Sequence, residues 1–406
     1  MAAGPRRPHL AGGLRLWALA LVVAVSPAAG QIRPEPPGST EHHRPTSPRL
    51  EPVPAEDWSA EQRALVDRYA PELRIGNGFR TLLHVPELVE AVVPFVIYTA
   101  ADSTLAPRHR ELLILRSAWL CRSQALWADH APVARTVGLT PDALRRIARG
   151  PAAPGWDGFE ATLLRLADEL FRNASIRDDT WSALAGRYDV YELLDAVMTV
   201  NESVLLATLY NSFGVQPDDG AMARLPADVP WRLDVAAPDP PLTAARVAPL
   251  EGEGLRVTRT FARHPRMAAA RAGQSRFVNR VSPLSPYHRE LLILRIGWNC
   301  RAVYEWAKHV GSVGRARDHG LDPERIARGP EAGWDDFDRA HLLAADEIYR
   351  DGMVSDATWA ALAERYDTRE LMSVVMTVAN YRLVSASLNA LGVQPLESDE
   401  RFPEVR

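Results

Sequence analysis

Residues 299–309 carry side chains suited to proton transfer; the segment reads Asn-Cys-Arg-Ala-Val-Tyr-Glu-Trp-Ala-Lys-His. Glu305 and His309 are four residues apart, so on a helix their side chains lie on one face. Glu290, fifteen residues before Glu305, could complete a carboxylate–imidazole–carboxylate cluster. In such a cluster one carboxylate fixes the imidazole tautomer and raises its basicity, while the other stays free to act on a substrate.

The aromatic residues around this cluster, Trp298, Tyr304 and Trp306, predict a partly apolar pocket in which the pKa of a carboxyl group rises. Simpler interpretations remain open, because a Glu-x-x-x-His spacing is also typical of a surface pair and tryptophans often belong to a core. The pattern lacks the paired histidines or cysteines of usual metal sites. We therefore expect no metal ligand and no cofactor.

The same pattern occurs twice in the chain. The sequence His-Arg-Glu-Leu-Leu-Ile-Leu-Arg at 109–116 returns at 288–295, an offset of 179 residues, and both copies close on Gly-Val-Gln-Pro. Solenoid repeats run at roughly 20–50 residues, so this period is too long for a solenoid. It predicts a duplicated domain of roughly 150 residues, long enough for each copy to bury a core.

The two copies differ at one position that matters for proton transfer. The first copy keeps Glu111, Cys121 and His130, but Leu126 stands where the second copy has Glu305. Leucine cannot exchange a proton. The first copy is therefore predicted to hold a degenerate site and to act as a partner of the second.

The apolar periodicity is helical throughout and no alternating strand pattern of useful length occurs, so the predicted fold class is all-α. The last helix of each copy is expected at 190–213 and 368–391, each ending at a glycine. Since His309 lies eleven residues before Gly320, the helix that carries it is expected to be almost one turn longer than its counterpart. Residues expected to cap or open helices are Pro107, Asp178, Ser285, Pro286 and Ser355.

The N-terminus has the features of an export signal. Three arginines precede or enter an apolar run at 16–25, and small residues follow at 28–30. The protein is therefore predicted to be exported (secreted, periplasmic or at the cell surface), with no membrane span after cleavage; an uncleaved anchor is the alternative. The predicted segments are a signal peptide at 1–30, a disordered Pro-rich tether at 31–55, an N-terminal domain at 56–217, a linker at 218–244, a C-terminal domain at 245–396 and a tail at 397–406.

The net charge indicates the class of partner, and the two cysteines allow at most one disulfide. Residues 1–30 hold three arginines and no acidic residue, so their removal takes the net charge from −4 to −7. An acidic protein has no electrostatic reason to bind nucleic acid, and a small molecule is the expected partner. Cys121 and Cys300 occupy equivalent positions; they are either joined in one disulfide or are two buried small residues.

The motifs resemble the carboxymuconolactone decarboxylase and alkylhydroperoxidase-D-like superfamily. The resemblance rests on the Arg-Glu-Leu-Leu-Ile-Leu-Arg helix, on Trp-Asn-Cys followed by Tyr-Glu-Trp-x-x-His, and on the later Gly-Leu and Ile-Ala-Arg-Gly. It covers both copies and is clearest at 286–330. It implies two tandem alkylhydroperoxidase-D-like helical domains that form a pseudo-symmetric internal dimer, which could itself form a homo-oligomer.

The peroxidase branch of that superfamily uses Cys-x-x-Cys-x-x-x-His with an upstream glutamate. By position, Glu290 matches that glutamate and His309 the histidine, while Ala302 and Glu305 stand in place of the two cysteines. Cys300 lies two residues too early to serve as either, so the disulfide couple is absent. The Glu-Trp-x-x-His form instead resembles the decarboxylase-like branch, which works without metal or organic cofactor.

The resemblance implies a cofactor-free, carboxy-lyase-like acid–base enzyme acting on a small acidic, lactone or carbonyl compound. In that scheme His309 is the general acid or base, Glu305 its partner facing the substrate, and Glu290 the orienting relay. Two alternatives stay open. One is a peroxiredoxin-type thiol peroxidase acting through Cys300; the other is a non-catalytic small-molecule-binding or scaffold protein, which the leucine at position 126 supports.

Overall fold

The chain folds into α-helices, as its periodicity predicts. The computed structural model describes residues 44–231 and 233–404, and no strand occurs within those residues. The predicted signal peptide, residues 1–30, lies outside the described residues, so export stays a prediction.

The helices form two successive sets in which each member from α2 to α9 has a counterpart from α10 to α17 in the same order. The first set is α1 (Ala60–Tyr69), α2 (Asn77–Leu82), α3 (Pro86–Ile97), α4 (Pro107–Leu120), α5 (Gln124–Thr136), α6 (Pro141–Arg149), α7 (Gly158–Asn173), α8 (Asp178–Ala185) and α9 (Val190–Phe213). The second set is α10 (Arg256–Phe261), α11 (Pro265–Arg276), α12 (Pro286–Asn299), α13 (Val303–Val310), α14 (Pro323–Arg328), α15 (Asp336–Asp351), α16 (Asp356–Ala363) and α17 (Thr368–Leu391).

The helices that carry the repeated octapeptide, α4 and α12, lie inside the protein. Nearly every residue of each is buried from the motif glutamate onward. Pro107 and Pro286 occupy the first turn, where a missing N–H costs nothing. Ser285 caps α12 by accepting from the His288 amide at 3.1 Å, as predicted. These two helices fix the backbone positions of the motif glutamates.

The N-terminal caps of α8 and of its counterpart α16 differ. Ser355 caps α16 by accepting from the Thr358 amide at 3.2 Å, as the sequence predicts. The prediction for Asp178 was wrong by one position. It is the first residue of α8, and the residue before it, Arg177, makes no side-chain cap bond. A carboxylate in the first turn still favours the helix through its dipole.

The two longest helices, α9 and α17, have the predicted boundaries and pack against each other. Both begin with a capping box, formed by Asp189 with Glu192 and by Asp367 with Glu370. Both end at a glycine in the left-handed region, where a side chain would be strained. Their mutual burial joins the two repeats, and the described residues form one compact unit.

By length and composition, α9 and α17 could each cross a membrane. Of the most apolar window in each, 94 % and 100 % of the residues are buried inside the protein. A central helix of a folded protein meets the same length and hydropathy test, so these two helices are only weak evidence for a membrane span. The absence of a span after signal cleavage stays a prediction.

The helix that carries His309 is shorter than predicted. α13 ends at Val310, whereas its counterpart α5 continues to Thr136. The chain turns at Gly311 and again at Gly314, where the backbone lies against the Glu290 carboxylate and the backbone of His309. A side chain at position 314 would overlap both groups. The expectation of an extra turn was wrong, because these glycines and not Gly320 end the helix.

The segment that precedes each repeat forms hydrogen bonds with both repeats. Arg49 donates to Ser212 O of α9 at 2.9 Å and to Val354 O beside α16 at 2.9 Å. Arg246 donates to Ala390 O at 3.1 Å and to Ile176 O at 2.9 Å, which are the equivalent groups in the opposite repeats. Residues 44–55, assigned to a disordered tether by composition, therefore lie against the fold. The other domain boundaries stay predictions.

Candidate functional site

The second repeat brings the three predicted acid–base residues into contact. His309 Nδ1 lies 2.6 Å from Glu290 Oε2, and His309 Nε2 lies 3.1 Å from Glu305 Oε1. The exposed fractions of Glu290, Glu305 and His309 are 2 %, 6 % and 3 %. The buried cluster excludes the interpretation of Glu305 and His309 as a surface pair.

The two carboxylates decide the charge of the imidazole. Burial by itself would lower the pKa of His309, but Glu290 and Glu305 outweigh it and raise that pKa to about 9. Burial also opposes ionisation of Glu290, yet His309 and Arg289 lower its pKa. At neutral pH His309 is therefore protonated and can donate a proton, while Glu290 holds it in place as a carboxylate.

A cavity of about 350 Å³ opens beside this cluster. Glu305 and His309 line it, whereas Glu290 does not. The ring of Tyr381 meets the His309 ring edge-on, with centroids 4.9 Å apart, and its hydroxyl donates to Asn279 Oδ1 at 3.0 Å. One carboxylate of the cluster, Glu305, therefore faces the cavity, and the other, Glu290, lies behind the imidazole.

Of the three predicted pocket aromatics, only Tyr304 lines the cavity. Trp306 is fully buried and Trp298 is partly buried in a separate apolar cluster, where both pack against Phe402 at centroid distances of 5.3 and 5.1 Å. Successive residues on a helix point about 100° apart, so the residue after Glu305 faces away from the cavity. The two tryptophans therefore do not line the cavity, and the prediction that they form part of the pocket was wrong.

The sequence motifs did not point to Arg271, which also lines the cavity. Arg271 lies on α11, and its guanidinium carbon is 4.9 Å from the centroid of the Phe261 ring. Comparison of the repeats could have found it, since the equivalent residue of α3 is Val92 at the same offset of 179. A charged residue that one repeat has and the other lacks can be detected by comparing the repeats, even where no motif contains it.

The equivalent position in the first repeat holds only part of this arrangement. His130 Nδ1 lies 3.0 Å from Glu111 Oε2, as in the second repeat. Leu126 is buried in place of the motif glutamate. Phe95 and Ser203 occupy the positions of Gln274 and Tyr381, by the offsets of 179 and 178. The first repeat thus keeps the Glu111–His130 contact but has leucine, phenylalanine and serine at the positions of Glu305, Gln274 and Tyr381.

Both cysteines are free and buried. Burial raises the pKa of Cys121 to about 11 and that of Cys300 to about 12, so neither forms a thiolate readily at neutral pH. Their backbone carbonyls accept from Asn211 Nδ2 and Asn389 Nδ2, each at 2.8 Å. The geometry agrees with two buried small residues and not with the alternative of a disulfide.

One group of side chains in the second repeat has a composition that could hold a metal ion. His288, Asp338 and His341 bring one ligand atom each within 4.8 Å of the others. The two imidazoles are stacked, with centroids 4.4 Å apart and planes inclined by 12°. A metal binds in the plane of an imidazole ring, so one ion cannot lie in both planes. Both rings are instead hydrogen-bonded to the Tyr366 hydroxyl, at 2.8 and 3.0 Å.

Comparison with known proteins finds one family similarity, and it lies in the first repeat. A family model described as the carboxymuconolactone decarboxylase family matches residues 86–169. The match confirms the resemblance for this part of the chain, which lies within the first repeat. It spans α3 to α7 and includes Glu111, Leu126 and His130. No curated protein and no solved structure matches the chain.

Proposed function

We propose that the second repeat is a cofactor-free acid–base enzyme acting on a small acidic, lactone or carbonyl compound. The single observation that carries the proposal is that Glu305 and His309 are hydrogen-bonded to each other and both line the same cavity. A buried, paired histidine that meets no cavity would be explained by structure alone. The family supplies the fold, and the chemistry comes from these side chains.

In this proposal Glu305 and His309 have opposite tasks. Glu305, as a carboxylate, removes a proton from the carbon or hydroxyl next to a substrate carbonyl. His309, protonated at neutral pH, gives a proton to the oxygen on which negative charge develops. Glu290 holds the imidazole through Nδ1. One proton enters the site and one leaves, so the reaction needs no oxidant or reductant.

The charge state of the cysteine argues against the peroxidase alternative. A peroxidatic cysteine reacts as the thiolate, and burial raises the pKa of Cys300 to about 12. Its sulfur also lies outside the cavity that Glu305 and His309 line. We also propose that the first repeat serves as the pseudo-symmetric partner of the second; the packing of α9 on α17 supports this.

Solvent-deuterium exchange tests the proposal whatever the net reaction is. The full chain is incubated in D₂O with a panel of small keto acids and unsaturated lactones, and deuterium entry into each compound is followed by NMR. The wild type should exchange at least one compound. Glu305→Gln, which keeps the size but not the basicity, should slow that exchange about 10²–10⁴-fold. Undiminished exchange by folded Glu305→Gln protein, or no exchange by the wild type across the panel, would contradict the proposal.

A further inference from the structure

Arg271 is a buried cation with unpaired hydrogen-bond donors. It is 7 % exposed, and its Nε and Nη2 atoms have no hydrogen-bond partner among the described residues. Leaving a charged donor buried and unpaired is costly, so such a group in a fold calls for a specific explanation. Because Arg271 lines the cavity of Glu305 and His309, a bound molecule could supply the missing acceptor.

The two carboxylates that act most strongly on the charge of Arg271 are Glu202 and Glu305, and each is paired with another residue. Glu202, on α9 of the first repeat, accepts from Gln274 Nε2 through both of its oxygens at 2.9 Å. Glu305 is hydrogen-bonded to His309. Neither makes an ion pair with Arg271 within the described residues, although both act on its charge from a distance. Arg271 is therefore held near these carboxylates with a free edge.

The two unpaired atoms are the right pair for a carboxylate. Nε and Nη2 lie on one edge of the planar guanidinium, and this edge matches the two oxygens of a carboxylate. Two buried arginines among the described residues bind carboxylates through this edge. Arg116 binds Asp168 through Nε and Nη2 at 2.6 and 3.0 Å, and Arg295 binds Asp346 through the same atoms at 2.6 and 2.8 Å.

We propose that Arg271 anchors the carboxylate of an anionic substrate, with the rest of that molecule directed toward Glu305 and His309. This inference rests on the proposed function, because it assigns the ligand class of the same cavity. The volume of about 350 Å³ is at the small end of ligand pockets, which hold roughly 300–1,000 Å³. The ligand is therefore a small organic acid. In the first repeat Val92 replaces Arg271, so this anchor exists only in the second repeat.

A pair of matched probes tests the anchor without turnover. Binding of 4-fluorobenzoate and of its neutral isostere 4-fluorobenzamide is measured by ¹⁹F NMR titration of the full chain. We expect the wild type to prefer the benzoate. Arg271→Leu should weaken benzoate binding about tenfold or more, since a bidentate charged pair is lost, and should leave amide binding unchanged. Arg271→Lys should restore part of the benzoate affinity.

A further variant keeps the outcome unambiguous. Arg276→Leu removes an exposed arginine five residues along the same helix and should leave benzoate binding unchanged. Benzoate binding involves no proton transfer, so a failed exchange assay and a failed binding assay point to different errors. Equal benzoate affinity in the wild type and in folded Arg271→Leu, or a wild type that does not distinguish benzoate from benzamide, would overturn the anchor.

Discussion

At the scale of single residues, the central fact is that one imidazole lies between two buried carboxylates. His309 contacts Glu290 through Nδ1 and Glu305 through Nε2, so both ring nitrogens are hydrogen-bonded. A protonated imidazole can donate to both carboxylates at once, whereas a neutral one can donate to only one. This is the physical reason that the pKa of His309 rises despite burial.

The raised pKa predicts a titration that NMR can follow. In protein labelled with ¹³C-histidine, the His309 resonance should titrate with a midpoint near pH 9, and Glu290→Gln should move the midpoint down toward or below the ordinary value of about 6.5. The stability that His309 contributes should be complete below about pH 6.5 and be lost as the pH rises through about 9. A wild-type midpoint at or below 6.5 would show that the imidazole is neutral at rest.

The sequence predicted this cluster because Glu290 and His309 recur in a motif and Glu305 is spaced to share a helix face with His309. Arg271 was not predicted, because α11 carries no repeated motif and a single arginine is ordinary on a helix. Trp298 and Trp306 were misplaced, since spacing along the chain does not say which side of a helix faces a cavity. Only the packing against Phe402, far along the chain, decides that.

At the scale of elements, the length of α13 depends on its glycines. The final helices were predicted correctly because a capping box begins each of them and a glycine ends each of them. α13 was predicted too long because Gly320 looked like its natural end. Gly311 ends the helix first, and the backbone at Gly314 then lies against Glu290. The break leaves His309 in the last turn of its helix, close to the preceding helix.

This arrangement predicts a specific effect of Gly314→Ala. The added methyl group would meet the Glu290 carboxylate and the His309 backbone, so one of them must move. Overpacking of this kind typically costs about 1–3 kcal/mol of unfolding free energy, and it should also lower the exchange rate. Denaturant unfolding and the exchange assay measure the two effects. Gly158→Ala is the control, since its methyl group would meet nothing within 4 Å. Equal stability of the two variants would contradict the close packing.

At the scale of the whole molecule, the two repeats share one interior. α9 packs on α17 and α3 packs on α11, so corresponding helices meet across the centre. Arg49 and Arg246 make equivalent cross-links in opposite directions. The octapeptide repeat predicted two copies. It did not predict that the segment before each copy forms hydrogen bonds with both copies. Such long-range contacts leave no local pattern.

The difference between the copies lies in the groups around the retained histidine. The second repeat has Glu305, Arg271 and Tyr381 around its histidine, where the first has leucine, valine and serine. In the proposed function all proton transfer therefore takes place in the second repeat, and His130, whose Nδ1 contacts Glu111, has a structural role.

The most direct test of that assignment compares the same substitution in the two repeats. On whichever compound the wild type exchanges, the rate of deuterium entry is measured for His309→Ala and for His130→Ala, after both variants are shown to be folded by circular dichroism. We expect His309→Ala to lose about 10²–10⁴ in rate and His130→Ala to keep most of it. Comparable losses in both variants, or a larger loss from His130→Ala, would contradict a single acid–base site in the second repeat.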